Sequence, residues 1–130
     1  MVAIIVQIHV IQAKLITIMG KFVITQRINS EYQFSLKAGN GEIILTSEGY
    51  VQKASCQKGI ESVKINSQDD SRYDKRVAVN DKDYFVLKAR NGEIIGRSQF
   101  YSSKTAMENG IHSVKSNAPT AEVIDETLKN

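Results

Sequence analysis

Hydrophobic residues along the chain change between two spacings, one typical of strands and one typical of helices. From 32 to 38 every second residue is apolar, as in an antiparallel strand with one buried face. Asn40-Gly41 then predicts a hairpin, because this pair favours a type I′ turn. Cys56, Ile60 and Val63 follow at helical spacing. The pattern predicts strands at 21–27, 32–38 and 42–46 and a helix from residue 52.

The same pattern occurs a second time. Residues 34–44 return as 85–95 at a constant offset of 51 positions, and the match continues through 66 and 117, which indicates an internal duplication. The second copy predicts strands at 76–79, 84–90 and 93–97, a helix that starts at Ser102-Ser103 and ends near 117, and a final strand at 121–125. We therefore expect an α+β fold in which two tandem β(3)-α-β repeats share one antiparallel sheet, packed by two helices.

Glycine occupies the same place on the buried stripe of both predicted helices, at Gly59 and Gly110. A glycine inside a helix costs about 1 kcal/mol relative to alanine. Close approach of helix and sheet explains why both copies have it. We therefore expect a larger side chain at Gly59 to destabilise the fold strongly.

Motifs of both copies occur together: Ser47-Glu-Gly-Tyr50, Tyr84-Phe-Val-Leu-Lys-Ala89, Asn91-Gly-Glu-Ile-Ile95 and Tyr101-Ser-Ser-Lys104. Their combination resembles the YegP-like family of small prokaryotic proteins of unknown function. The resemblance implies a tandem repeat in which the two units form one sheet and exchange their last strands. It assigns 72–79 and 121–125 as the exchanged segments and implies no activity. Unlike the second helix, the first lacks a hydroxyl at its start, where Val51-Gln52 replaces Ser102-Ser103.

The first eighteen residues do not belong to the repeat. They are nearly all apolar, with Lys14 among them and no basic segment before them, so they fit neither a secretory signal nor a membrane anchor well. Two interpretations stay open: an upstream extension that the working protein lacks, or a loosely attached strand. We assign 1–18 as this extension, 19–125 as one domain with repeats at 19–70 and 71–125, and 126–130 as a tail.

Composition and charge exclude more functions than they indicate. The 130 residues include 17 Lys and Arg against 14 Asp and Glu, and the net charge of +3 is spread without basic runs. A single cysteine, Cys56, excludes an internal disulfide and indicates a reducing, cytoplasmic location. The two histidines, His9 and His112, do not have the spacing of zinc ligands. With so few histidines, no Ser–His–Asp catalytic triad can be assigned. We expect no catalytic residues, no metal, no cofactor and no membrane association.

The polar residues that both copies keep are the remaining candidates for a site. A structural role is one explanation, because such residues form turns and end helices. The alternative is a pair of ligand patches where strand leads into helix, formed by Ser47, Tyr50, Lys53, Ser98, Tyr101 and Lys104.

Three hypotheses of function follow from these candidates. The leading one is a monomeric, non-enzymatic module with internal pseudo-two-fold symmetry. It binds an unknown protein or small ligand through the exposed sheet face or the strand-to-helix corners. A weak nucleic-acid-binding protein is the alternative, since Lys37 and Lys88 occupy equivalent positions on the wet sheet face. On the helices, Lys53 and Lys64 likewise align with Lys104 and Lys115. An enzyme that uses Ser, Tyr and Lys at a corner ranks last.

Overall fold

The computed structural model describes residues 19–128 as two three-stranded meanders, each followed by a helix. Expectations for 1–18, 129 and 130 lie outside the described residues. Short 3₁₀ turns at Asp70–Arg72 and Ala118–Thr120 follow the two helices. The regular elements are β1 (Lys21–Gln26), β2 (Tyr32–Lys37), β3 (Ile43–Thr46), α1 (Lys53–Asn66), β4 (Tyr73–Val77), β5 (Asp83–Lys88), β6 (Ile94–Arg97), α2 (Lys104–Asn117) and β7 (Glu122–Asp125).

The two repeats meet at the centre of one seven-stranded sheet with the order β4-β5-β6-β3-β2-β1-β7. The central strands β3 and β6 pair at Thr46 and Arg97, which are equivalent positions of the two copies. The pseudo-two-fold axis therefore passes between these residues, and the predicted α+β duplication is confirmed. The first strand of the second repeat begins at Tyr73 and ends at Val77, earlier than the 76–79 that the pattern predicts.

One strand departs from the antiparallel expectation. β7 runs parallel to β1, with Phe22 opposite Val123, so the sheet is mixed. A tight hairpin forces antiparallel pairing, but β7 is reached through α2 and is free of that constraint. β7 follows the helix of the second repeat and lies beside the first repeat, and β4 follows α1 and pairs with β5. β7 is therefore exchanged onto the first repeat, as the family resemblance implies, whereas β4 holds in the second repeat the position that β1 has in the first.

The hairpin turns differ from the predicted type I′. Gly41 has a φ of 87°, but Asn40 is not among the residues with positive φ. The Gly41 N–H bonds to the Ala38 carbonyl, and the Ala38 N–H bonds to the Glu42 carbonyl, which is a type I turn closed by a glycine bulge. The Asn40 side chain accepts from the Glu42 N–H, and Asn91 does the same in the second repeat. Asparagine thus fixes the turn through its side chain.

The core is a single layer between the sheet and the helices. Phe22, Phe34 and Leu36 face Ile60 and Val63 there, and all five are buried. The second repeat contributes the equivalent residues Tyr73, Phe85, Leu87, Ile111 and Val114. The opposite face of the sheet, called the outer face below, has no helix over it within residues 19–128.

The two helix starts offer a test of capping. Ser103 Oγ accepts from the Ala106 N–H at 3.1 Å, whereas the equivalent Gln52 makes no side-chain cap. We expect Gln52→Ser to raise the free energy of unfolding by about 1 kcal/mol, because it satisfies a free N–H of the first turn. Urea denaturation followed by circular dichroism measures the change. Ser103→Gln is the matched control and should lower stability by a similar amount; an unchanged midpoint for both variants would contradict this.

Candidate functional site

The serines of the predicted patches are occupied by the main chain. Ser47 Oγ accepts from the Phe34 N–H at 2.9 Å and donates to the Glu48 carbonyl at 2.8 Å. Ser98 repeats both bonds with Phe85 and Gln99 at the same distances. Both serines are buried. Each hydroxyl thus joins the second strand of its repeat to the loop that leads to the helix.

The tyrosines lie against the glycines of the helices. Tyr50 stacks on Phe34 with ring centroids 6.4 Å apart, and its hydroxyl points at Gly59. Tyr101 packs in the same way against Gly110. Burial is the main cause that raises the pKa of both phenols, so both stay protonated at neutral pH. The Tyr101 hydroxyl is buried and has no hydrogen-bond partner within residues 19–128.

The lysines form ion pairs with carboxylates of other elements. Lys53 Nζ lies 2.9 Å from Asp125 Oδ2, which ties α1 to β7, and 5.6 Å from the centre of the Tyr32 ring. Hydrogen bonds from Thr127, and then from Lys53, hold the pKa of the Asp125 carboxyl below its usual value. Lys104 Nζ lies 3.3 Å from Asp83. The serines and lysines of both predicted patches thus have polar partners within the protein, and the tyrosine rings pack against phenylalanine and glycine. The binding role of all six residues stays a prediction.

The two corners differ at one contact between the repeats. The Gln99 side chain donates to the Glu42 carboxylate of the other repeat. The equivalent pair on the opposite side is Glu48 and Glu93, and both carboxylates lie near Tyr50, whose pKa they raise after burial and Cys56. Two carboxylates cannot form the amide hydrogen bond of the first pair, and their like charges repel.

We expect Glu48→Gln to raise the free energy of unfolding by about 0.5–1 kcal/mol, since it permits the missing hydrogen bond and removes the repulsion. Thermal denaturation at low salt measures it. The mirror substitution Gln99→Glu serves as the control and should destabilise. A loss of stability with Glu48→Gln would show that the two halves are not equivalent at this contact.

No cluster suited to catalysis or metal binding is found in the described part of the chain. Within residues 19–128 no group of His, Cys, Asp or Glu is placed to hold a metal ion. Burial raises the pKa of the Cys56 thiol to about 11, which makes it unreactive. His112 is exposed on α2. None of the helices between residues 19 and 128 combines the length and apolar content that crossing a membrane requires.

A cleft of about 680 Å³ opens on the outer face where the repeats meet. Ile43 and Ile94, which are equivalent positions, are among its lining residues, and so is Gly96. Arg27 and Arg97 also line it, although the equivalents of these two arginines are Ala78 and Thr46. The cleft therefore has a symmetric apolar part, two arginines without an equivalent cation in the other repeat, and the carboxylates of Glu42 and Glu48.

Beside the cleft, the second repeat carries a set of exposed or half-buried aromatic and basic side chains, of which sequence reasoning selected only Lys88. Strand register places them together, because paired residues point to the same face: Arg76 pairs with Tyr84, and Val86 with both Asp74 and Arg97. We call this set the aromatic–cation patch; it consists of Arg76, Tyr84, Lys88, Arg97 and Phe100.

The first repeat has no such patch, although its backbone follows the same plan. Where the second repeat has Tyr84 and Phe100, the first has Gln33 and Gly49. Gln33 accepts from Arg27, whose side chain, with that of Glu31, lies against Gly49. Polar contacts therefore replace the aromatic pair. Positions at which the two repeats differ could have revealed the patch. The candidate residues were instead chosen because both repeats share them.

Fold and surface together define a duplicated α+β protein with two equivalent structural corners and one asymmetric outer face. Residues 29–74 and again 78–125 match the protein family described as a domain of unknown function, DUF1508. The chain belongs to this family, the uncharacterised UPF0339 proteins that include YegP, as its resemblance to YegP-like proteins predicted.

Relatives and solved structures agree with this assignment. A UPF0339 protein of Acinetobacter baylyi is 56% identical over 108 residues, which are 83% of this chain and 97% of the relative. YegP of Escherichia coli O157:H7 is 51% identical, with 83% and 98% covered. The solution NMR structure of yegP from E. coli, a protein of unknown function, has a TM-score of 0.81 at 48% identity, with 87% of this chain and 97% of that chain covered. A UPF0339 protein from Shewanella oneidensis gives 0.78 at 52% identity, with 82% and 90% covered.

Proposed function

We propose that this protein is a non-enzymatic binding module that uses the outer face of its sheet. The observation that supports it most is the aromatic–cation patch, in which Phe100 is 52% exposed on a face that no helix of residues 19–128 covers. The half-buried Tyr84 and the exposed Phe100 have no counterpart in the first repeat, where Gln33 and Gly49 occupy the equivalent positions. The fold therefore does not require these two rings. The corner residues support the fold instead, since Ser47 and Lys53 already have internal partners.

A titration of the isotope-labelled protein, followed by backbone amide NMR, tests this proposal. The probes are inorganic phosphate, a polyglutamate peptide and a single-stranded DNA oligonucleotide of mixed sequence. We expect saturable shift changes in β4, β5 and β6 for at least one probe, which is then recovered chemically unchanged. Shift changes confined to Tyr50 and Tyr101 would favour the corner patches. No saturable change with any probe, or chemical conversion of one, would overturn the proposal.

The module is proposed to act as a cytoplasmic monomer. The duplication provides within one chain the second half that a single repeat lacks, and the buried Cys56 suits a reducing compartment. Light scattering of the purified chain measures the oligomeric state, and a dimer at low concentration would contradict it.

A further inference from the structure

We propose that the aromatic–cation patch binds single-stranded nucleic acid, with an unpaired base stacked on Phe100 and phosphates held by the surrounding cations. This inference rests on the proposed function and names its ligand class. The arguments are the geometry of the rings, the charge around them and the distribution of free cations between the two faces of the protein.

The rings form a rigid stacking surface. Phe100 and Tyr84 pack edge to face, with centroids 5.4 Å apart and planes at 87°. Tyr84 is held on β5, and its strand pairs on both sides. Phe100 keeps half of its surface open, although it precedes Tyr101, which is fixed in the corner. A ring held at one edge and open on the other side offers a base a stacking partner with little loss of conformational entropy.

Positive charge surrounds these rings. The Arg97 guanidinium lies 5.9 Å from the centre of the Tyr84 ring, and within residues 19–128 it makes no ion pair. Arg76 and Lys88 share a single carboxylate, Asp74, at 2.9 and 3.3 Å. Within the patch, three cations therefore stand against one acid, Asp74, and their net positive charge complements phosphate. The carboxylates of Glu42 and Glu48 line the neighbouring cleft with Arg97.

The helix side of the protein lacks this property. Four of the five lysines of α1 and α2 are paired with acids: Lys53 with Asp125, Lys64 with Glu61, Lys104 with Asp83 and Lys115 with Asp70. Lys58 is the exception within residues 19–128, and it lies apart from any exposed aromatic pair. The outer face is therefore favoured over the helices, although lysines of both faces were candidates from the sequence. An unpaired base is required because a duplex hides the faces of its bases from a ring on a flat sheet.

The chain itself provides matched variants for the test. Phe100→Gly and Arg97→Thr introduce the residues of the first repeat, which the same backbone already accommodates. Lys58→Ala on the exposed face of α1 removes one positive charge, as Arg97→Thr does, but on the opposite side of the protein. Circular dichroism and amide NMR spectra confirm that each variant is folded before binding is measured.

Fluorescence anisotropy with a labelled single-stranded oligonucleotide at low salt gives the affinity. We expect about a fivefold or greater loss with Phe100→Gly, since stacking of one base contributes roughly that factor or more. Arg97→Thr should weaken binding and reduce the slope of log affinity against log salt by about 0.7. Lys58→Ala should change affinity less than Arg97→Thr does. Duplex of the same sequence should bind more weakly than the single strand.

A gain of affinity provides a further test that does not depend on damage to the patch. Asp74→Asn releases Arg76 and Lys88 from their shared carboxylate. We expect it to strengthen binding of the single strand about threefold or more. Equal affinity for strand and duplex, or no effect of Phe100→Gly and Asp74→Asn in folded protein, would overturn this inference. If polyglutamate binds the outer face and the oligonucleotide does not, the nucleic-acid inference fails while the proposed binding module stands.

Discussion

Gly59→Leu is expected to lower the free energy of unfolding by about 3 kcal/mol or more, a large share of the stability of a domain of this size. A Cβ atom at Gly59 would lie 2.5 Å from Tyr50 Oη and 3.0 Å from Phe34 Cε2. Tyr50 cannot yield easily, because its N–H and carbonyl both pair with Tyr32 at 2.7 Å and its ring stacks on Phe34. The gain of about 1 kcal/mol in helix propensity does not offset the displacement of α1.

Urea denaturation measures this loss, with two controls. Ser55→Leu places the same side chain on the exposed face of α1 and should change stability little. Gly59→Ala should recover part of its loss when it is combined with Tyr50→Phe, because the hydroxyl is the nearest atom. If Gly59→Leu unfolded at the same urea concentration as the parent, the close helix-to-sheet packing described for both repeats would be wrong.

The sequence predicted the features that local chemistry determines. Alternation in 32–38 predicted β2, and the helical spacing of Cys56, Ile60 and Val63 predicted α1, because burial on one face imposes these periods. The duplication predicted the central pairing of the repeats, which the equivalent residues Thr46 and Arg97 make. Features that depend on contacts between distant segments were harder, since no local pattern specifies that β7 lies parallel to β1.

The site was harder to predict than the fold for a related reason. Identity between the repeats selected Ser47, Tyr50 and Lys53, and the structure gives these residues partners inside the protein. Both repeats need the same residues to form their strand-to-helix corners. A residue that is identical in the two copies is therefore often one that the fold requires. The binding surface proposed above has no such requirement, and its residues Arg97 and Phe100 occur in one copy only. Arg97 and Phe100 lie beside Tyr84 because of the strand register, which could not be predicted from the sequence.

The largest coupled effect is expected at the equivalent positions Leu45 and Gly96, close to the pseudo-two-fold axis. Leu45 is fully buried, and a Cβ at Gly96 would lie 2.6 Å from two atoms of the Leu45 side chain. The side chain of Leu45 therefore fills the core space that positions 45 and 96 share. We expect Leu45→Gly to cost about 4 kcal/mol or more, through lost burial and a flexible backbone, and Gly96→Leu about 3 kcal/mol, through overpacking.

The double variant Leu45→Gly/Gly96→Leu should regain most of the lost stability. The register supports this, since Leu45 lies opposite Leu36 and Gly96 lies opposite Leu87, so the relocated side chain meets an equivalent neighbour. A deficit of about 1 kcal/mol should remain, because the buried helix positions differ at one equivalent pair, Cys56 and Met107. Urea denaturation of the four proteins gives the coupling energy. Losses that simply add would show that the two positions do not share one space, which would contradict the symmetry inferred from the duplication.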